Sequence, residues 1–303
     1  MIRNKVKHAL NALARRTPWH DNTLFEDCKK FWRHNTFNLK VINLGSTSAV
    51  YAFDYSDSQV PAANFAISRN PLAGDLAILK NYISFLNPNG SYVFIPLCPF
   101  SSLAGSYDYM DDRYYTILYP STIINYSYIH EIHALHKRDN PFMYYPISAL
   151  FTDFKYYIKK KNHVLSEQQL KDDAEDKIKS WMHEFSLDGF ENNLSLKNQD
   201  AVEDAAKILN DIISYCIANN ATPVITIPPV HQSLYKHLHG DGEKVLIDSL
   251  LSKISYTDII IKNYMFHTEF AENAYLFQNS FLLNKSGARK FTKILLEELD
   301  IEK

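Results

Sequence analysis

The stretch "LKVINLGSTSAVYAFDY", residues 39–55, begins as an apolar, β-branched run and breaks at Gly45, after which Ser46, Thr47 and Ser48 present three hydroxyls in a row. A short run of this kind bounded by a turn residue reads as a strand buried on both faces. Counting "KVINLG" (40–45) as the first, four more runs share its character: "ANFAIS" (63–68), "SYVFIPL" (91–97), "PVITIPP" (223–229) and "TDIIIK" (257–262). Helical patterns separate most of them, which is the alternation of βαβ units and a parallel sheet.

Between the second and third runs, "DLAILKNYISFL" sets Leu76, Ile78, Leu79, Tyr82, Ile83 and Leu86 on one helical stripe, and "NPNG" (87–90) turns the chain into the third strand. Before the fourth, "DAVEDAAKILNDIISYCIANN" places Ala205, Ile208, Leu209, Ile212 and Ile213 at helical spacing, with Asn219 and Asn220 as the stop. "EKVLIDSLLSKI" predicts one more amphipathic helix. A last one follows in "NKSGARKFTKILLEELDIEK", with Ser286 as its N-cap and Phe291, Ile294, Leu295 and Leu299 on one face. The expected fold is a three-layer α/β/α sandwich of the flavodoxin-like kind around a five-stranded parallel sheet. Its core covers 36–98 and 201–303. Residues 99–200 break the alternation and predict a helical, tyrosine-rich insertion, expected to stand above the carboxyl edge of the sheet as one wall of a cleft.

Composition narrows the function classes. The chain of 303 residues is 46% apolar and 22% charged, values of a folded globular protein rather than a disordered one. Its 32 basic and 34 acidic side chains leave a net charge of −2, so no global field recruits nucleic acid or an anionic membrane. Cys28, Cys98 and Cys216 are odd in number, far apart and outside any CxxC spacing, which argues against a disulfide framework and a zinc knuckle and favours a reducing compartment. The start, "MIRNKVKHALNALARR", reads as a basic amphipathic surface helix rather than a signal peptide, and no apolar run reaches membrane-spanning length. A cytoplasmic location is expected.

Chemistry is expected at the carboxyl ends of the strands, where open parallel sheets bind ligands. Gly45, Ser46 and Thr47 follow strand one, Asn64 lies in strand two, Cys98 and Pro99 follow strand three, and "PPVH" (228–231) follows strand four. Hydroxyl, amide, thiol and imidazole groups on one edge are the parts an acyl-transfer site needs. Gly-Ser-Thr after the first strand, Asn64, and "NSFLLNKSGARKFT" (279–292) before the last helix together resemble the SGNH (GDSL-like) hydrolase family, and most closely its branch associated with bacterial surface-glycan genes. The resemblance covers the chain apart from the insertion. It implies an esterase or O-acyltransferase class of activity on a glycan or other hydroxylated small molecule, with no cofactor.

The resemblance places Thr47 at the nucleophile position, with Ser46 beside it and Gly45 as the turn glycine, and makes Asn64 the oxyanion-hole asparagine. In the C-terminal motif Leu283, Asn284, Gly287 and Ala288 match, but Asn279 stands where the family has the triad aspartate and Leu282 where it has the histidine. A threonine adds a β-methyl that stiffens χ1, a neutral amide cannot stabilise an imidazolium, and leucine moves no proton. Serine hydrolases that lose a triad member keep only roughly 10³- to 10⁴-fold acceleration. Hydrolysis is therefore expected to be weakened or lost unless His231 or His267 replaces the base. The alternative is a non-catalytic module that binds a glycan or a protein.

Three weaker patterns have bland counterparts. His130, His133 and His136 in "HEIHALH" could share a metal, but lack the HExxH spacing and a carboxylate or Cys partner. Cys98 could be a nucleophile, although thiols after strands more often pack. Lys159, Lys160 and Lys161 beside Tyr156 and Tyr157 could meet phosphates, or form a solvated helix face. There is no GxGxxG and no GxxxxGK[ST].

Overall fold

A computed structural model describes residues 2–104, 110–158, 165–190 and 194–301. The lysine run at 159–161 lies outside them. In chain order the first elements are α1 (Ile2–Ala14), α2 (Cys28–Trp32), β1 (Val41–Asn43), α3 (Thr47–Ala52), β2 (Ala62–Asn64), α4 (Leu72–Tyr82) and β3 (Ser91–Pro96). There follow α5 (Tyr114–Ile117), α6 (Tyr128–Asp139), α7 (Ile147–Ile158), α8 (Glu167–Glu184), α9 (Leu196–Ala218), β4 (Ala221–Ile227) and α10 (Gln232–Leu238). The last are α11 (Asp241–Glu243), α12 (Ser249–Leu251), β5 (Ile260–Asn263), α13 (Thr268–Ala271) and α14 (Lys285–Glu298).

The chain forms two compact units, Thr36–Ser106 with His163–Lys303, and Met1–Asn35 with Tyr107–Asn162. The segment expected as one insertion, 99–200, is shared between them. Its charged helix α8 and the start of α9 go with the sheet, and its aromatic part goes with the N-terminal residues.

The first unit is α/β, and its five strands are all parallel in the order β2-β1-β3-β4-β5. Strand side chains alternate between faces. One face, with Val41, Phe94 and Val224, packs on Ala49 and Phe53 from α3 and its end, on Phe270 of α13 and on Phe291 and Leu295 of α14. Phe291 is fully buried, with ring centroids 5.4 Å from Phe53 and 5.2 Å from Tyr264, so truncating it to alanine would cost about 3–5 kcal/mol. On the opposite face, with Ile42, Ile95 and Ile225 fully buried, α4 and α9 pack on each other. That makes three layers.

Helix ends follow local chemistry. Ser195 caps α9 through the Asn198 N–H, Ser166 and Gln169 close a reciprocal capping box at α8, and Asn219 ends α9. The last helix corrects the expected cap, which is Asn284 rather than Ser286. Its Oδ1 accepts from the N–H groups of Ser286 and Gly287, and its Nδ2 donates to the carbonyls of Tyr275 and Phe277. The amphipathic pattern at 243–254 forms two single turns, α11 and α12, joined by a π-helical turn at Lys244–Asp248.

The second unit is helical, without a strand among its described residues. Trp32 Nε1 donates to the Thr116 carbonyl (3.1 Å), tying α2 to α5. Asp153 of α7 accepts from the Trp19 N–H (2.8 Å) and the Tyr145 hydroxyl (2.6 Å). All three cysteines are free thiols. Among the described residues no helix is long and apolar enough to cross a membrane.

Candidate functional site

In a 2-1-3-4-5 sheet the strand order reverses between β1 and β3, and ligand crevices open there, beyond the carboxyl ends of the strands. Gly45, Ser46 and Thr47 leave β1 at this point, and Leu97 and Cys98 leave β3. Gly45 is required twice over. Its φ of +112° lies where L side chains are strained, and a Cβ would stand 2.7 Å from the Ala49 Cβ and 3.3 Å from the Pro96 ring.

Asp75, buried on α4, holds the turn from below. Its Oδ1 accepts from the Gly45 N–H (2.7 Å) and from Asn70 Nδ2 (2.5 Å). Burial pushes this carboxyl up to about 8, against the pull of those two hydrogen bonds, so it is largely protonated at neutral pH. Ser46 is the N-cap residue of α3 by position, but its Oγ accepts from the Asn70 N–H (3.1 Å) instead of capping the helix. Thr47 Oγ1 accepts from the Arg69 N–H (3.1 Å). Both hydroxyls thus anchor the 69–70 segment to the turn.

Asn64 serves the other end of α3. Its Nδ2 donates to the carbonyls of Ala49, Val50 and Phe53, and its Oδ1 accepts from Asn43 Nδ2 and the Ala66 N–H, all at 3.0–3.3 Å. An amide so occupied has no donor left to point at a developing oxyanion.

His231 is fully buried as the N-cap of α10. Its Nδ1 accepts from the Ser233 N–H (3.2 Å), so the neutral tautomer that makes this cap carries its proton on Nε2, which lies 3.8 Å from Glu167 Oε2. Burial holds the ring below the ordinary histidine range, partly offset by Glu167. The C-terminal motif gathers here. The His231 N–H donates to the Ser280 carbonyl (2.9 Å), and the ring meets Phe277 edge-on at 5.5 Å. Asn279 Oδ1 accepts from the N–H groups of Phe281 and Leu282, both at 2.9 Å, closing a turn. Asp173 of α8 accepts from Ser280 N–H (2.8 Å) and Oγ (2.5 Å). Although burial alone would raise the pKa of Asp173, those bonds and Lys177 bring it below the ordinary carboxylate range.

The expected site residues therefore fall into two groups. Gly45, Ser46 and Thr47 come together with Asn70 and Asp75, and with Asn64 at the far end of α3. His231 comes together with Asn279. Among the described residues no hydrogen bond joins the two groups, and no histidine bonds to Ser46 or Thr47. β4 lies two strands from β1, about 10 Å at ordinary strand spacing. His267 stands one strand further on, its ring tilted against Tyr264 and edge-on to Phe270.

Cys98 is half-buried, its thiol 3.3 Å from Ser101 Oγ, and burial raises its pKa, the wrong direction for a thiolate nucleophile. In the helical unit His130 pairs with Asp112 (2.8 Å) and His136 Nδ1 with the Tyr144 hydroxyl (2.8 Å). Among the described residues no three His, Cys, Asp or Glu side chains are placed to share a metal ion. Sequence reasoning missed Asp75 and Asn70. The available signal was the position of Asp75 three residues after Leu72 and four before Leu79, on the buried stripe of α4 where a carboxyl needs a reason.

No protein-family model matches the chain, and no curated protein is significantly similar to it.

Proposed function

We propose that the α/β unit is a degenerate SGNH hydrolase-like module whose crevice, beyond the ends of β1 and β3, binds a glycan or other hydroxylated ligand without efficient ester turnover. One observation carries this reading. The imidazole that follows β4, His231, caps α10 through Nδ1, while the hydroxyls of Ser46 and Thr47 hold backbone N–H groups. A hydroxyl without a base to take its proton is a poor nucleophile at neutral pH. Asp75 does not fill the gap, because its Oδ1 is engaged by Gly45 and Asn70 beneath the turn. The glycan class follows from the resemblance of "GST" and "NSFLLNKSGA" to the surface-glycan branch of that family.

The test is fluorophosphonate labelling and short acyl-ester turnover by the wild type, Ser46→Ala and Thr47→Ala. The expected result is no stoichiometric labelling, and ester cleavage that neither substitution changes. Labelling abolished by Thr47→Ala or Ser46→Ala would overturn the reading and restore an acyl-transfer enzyme.

A further inference from the structure

A second recess lies wholly within the helical unit. Arg15 after α1, His20, Trp32 of α2, and Arg138 and Asp139 at the end of α6 surround about 510 Å³. We propose that it binds a polyhydroxylated anion, a sugar or polyol carrying a phosphate or carboxylate.

The strongest indication is His20. It is only 2% exposed and lines the recess, yet its Nε2 is buried without a hydrogen-bond partner. Buried polar atoms are nearly always satisfied, so an orphan beside a cavity marks a place where a ligand or ordered water belongs. Its chemistry can be specified. Nδ1 lies 2.9 Å from Asp21 Oδ1, and a carboxylate only accepts, so Nδ1 carries the proton and Nε2 presents a lone pair. Lys29 pairs with the other Asp21 oxygen and fixes that carboxylate. Burial holds His20 below the ordinary histidine range. The ring is wedged between Phe25 (5.6 Å) and Trp32 (6.2 Å), which sets its orientation. The buried group thus accepts a hydrogen bond, as a hydroxyl would donate.

The rim has the opposite preference. Arg15 uses Nη2 on the Asp139 carbonyl (2.7 Å), and Arg138 uses Nε on Asp139 Oδ1 (3.1 Å). Each guanidinium has five N–H donors, so both keep donors for an anion. Trp32 donates Nε1 to Thr116, which pins the indole as an apolar face of the kind sugar rings pack against. Two arginines, one of them paired with the Asp139 carboxylate, leave the rim net positive, and with the buried acceptor in its wall and the indole they favour an anion with hydroxyls over a bare anion or a neutral sugar. This inference is independent of the crevice reading.

The test is calorimetric titration of the full chain with glucose 1-phosphate, glucuronate, glucose and inorganic phosphate, repeated with Arg15→Gln, Arg138→Gln and His20→Gln. Far-UV circular dichroism checks the fold of each variant. The two arginines are surface side chains and keep the test usable if the buried His20 variant fails to fold. The expected result is saturable binding of glucose 1-phosphate, glucuronate or both, about tenfold tighter than glucose or phosphate, and weakened about tenfold by either arginine substitution. Preference for one of the two distinguishes a phosphate from a carboxylate source. His20→Gln is expected to shrink the margin over the matching bare anion. No saturation by any probe in the millimolar range, equal affinity for phosphate and glucose 1-phosphate with none for glucuronate, or affinity indifferent to both arginines would overturn the proposal.

Discussion

Asp75→Asn is expected to stabilise the α/β unit, and to do so more strongly as pH rises. The wild-type carboxyl ionises at about 8 in the fold against an ordinary 3.8, burial being the largest cause. Between those values the native state binds the extra proton, so unfolding free energy falls with rising pH. The contribution is fully present below about 4 and is lost as pH climbs through about 8. The slope is about 1.4 kcal/mol per pH unit, hence about 2.7 kcal/mol between pH 5 and pH 7. Asparagine has the shape of the protonated acid and keeps Oδ1 for the Gly45 N–H and for Asn70. Asp54, Asp173 and Glu298, held below the ordinary carboxylate range, tilt stability the other way but are common to both proteins and cancel.

Because the chain has two compact units, the readout should be local: hydrogen exchange of peptides covering β1 and β3, variant against wild type at each pH. The ratio of protection should grow about a hundredfold from pH 5 to pH 7 and level off above pH 8. A ratio that is flat across this range, or that falls, would refute a neutral Asp75 beneath the turn.

Three further substitutions probe other parts of the unit. Gly287→Ala would put a Cβ 2.2 Å from the Leu276 carbonyl oxygen, a backbone atom that cannot swing aside. It should cost about 1–3 kcal/mol in urea unfolding, whereas Gly90→Ala, with open space around it, should show only the strain of its positive φ, about 1 kcal/mol. His231→Gln should lose about 1 kcal/mol from the α10 cap. It should also flatten stability between the lowered native pKa of this ring and about 6.5, a window in which wild-type stability rises with pH because only the unfolded chain takes up the proton. An unchanged pH profile in that variant would show that His231 does not titrate differently in the two states.

The parallel sheet was legible because five apolar runs interrupt helical periodicity, although only β1, β3 and β4 prove buried on both faces while the edge strands β2 and β5 are partly exposed. Their ends were less so. The run at 63–68 forms a named strand only at Ala62–Asn64, although the Phe65 and Ile67 N–H groups still bond to the Asn43 and Gly45 carbonyls beyond it. The cap of α14 went to Asn284 because its amide serves both the helix N–H groups and the preceding turn, a double role that Ser286 is too short to play. At the candidate site the residue types at each strand end were readable, but their partners were not. Whether Asn64 faces a ligand or the end of α3, and whether His231 is base or cap, depends on side-chain direction across elements far apart in sequence. The fate of 163–200 was hidden for a related reason. α8 looks like a solvated charged helix, yet Asp173 on it reaches across to Ser280, 107 positions away.

The Asn43–Asn64 amide contact has a consequence for how the sheet finds its alignment. β1 and β2 pair over only three residues each, and such a short ladder discriminates poorly against a slip by one position. Asn43 and Asn64 are partners across that ladder, and one amide donates to the other while Asn64 also clasps the last carbonyls of α3. A slip would break the contact and take its partner from the fully buried Asn43 amide, at about 1–3 kcal/mol for the unsatisfied group. The two asparagines thus act as a key that admits a single alignment of strand, helix and turn, and that task constrains them whether or not anything is ever catalysed beside them.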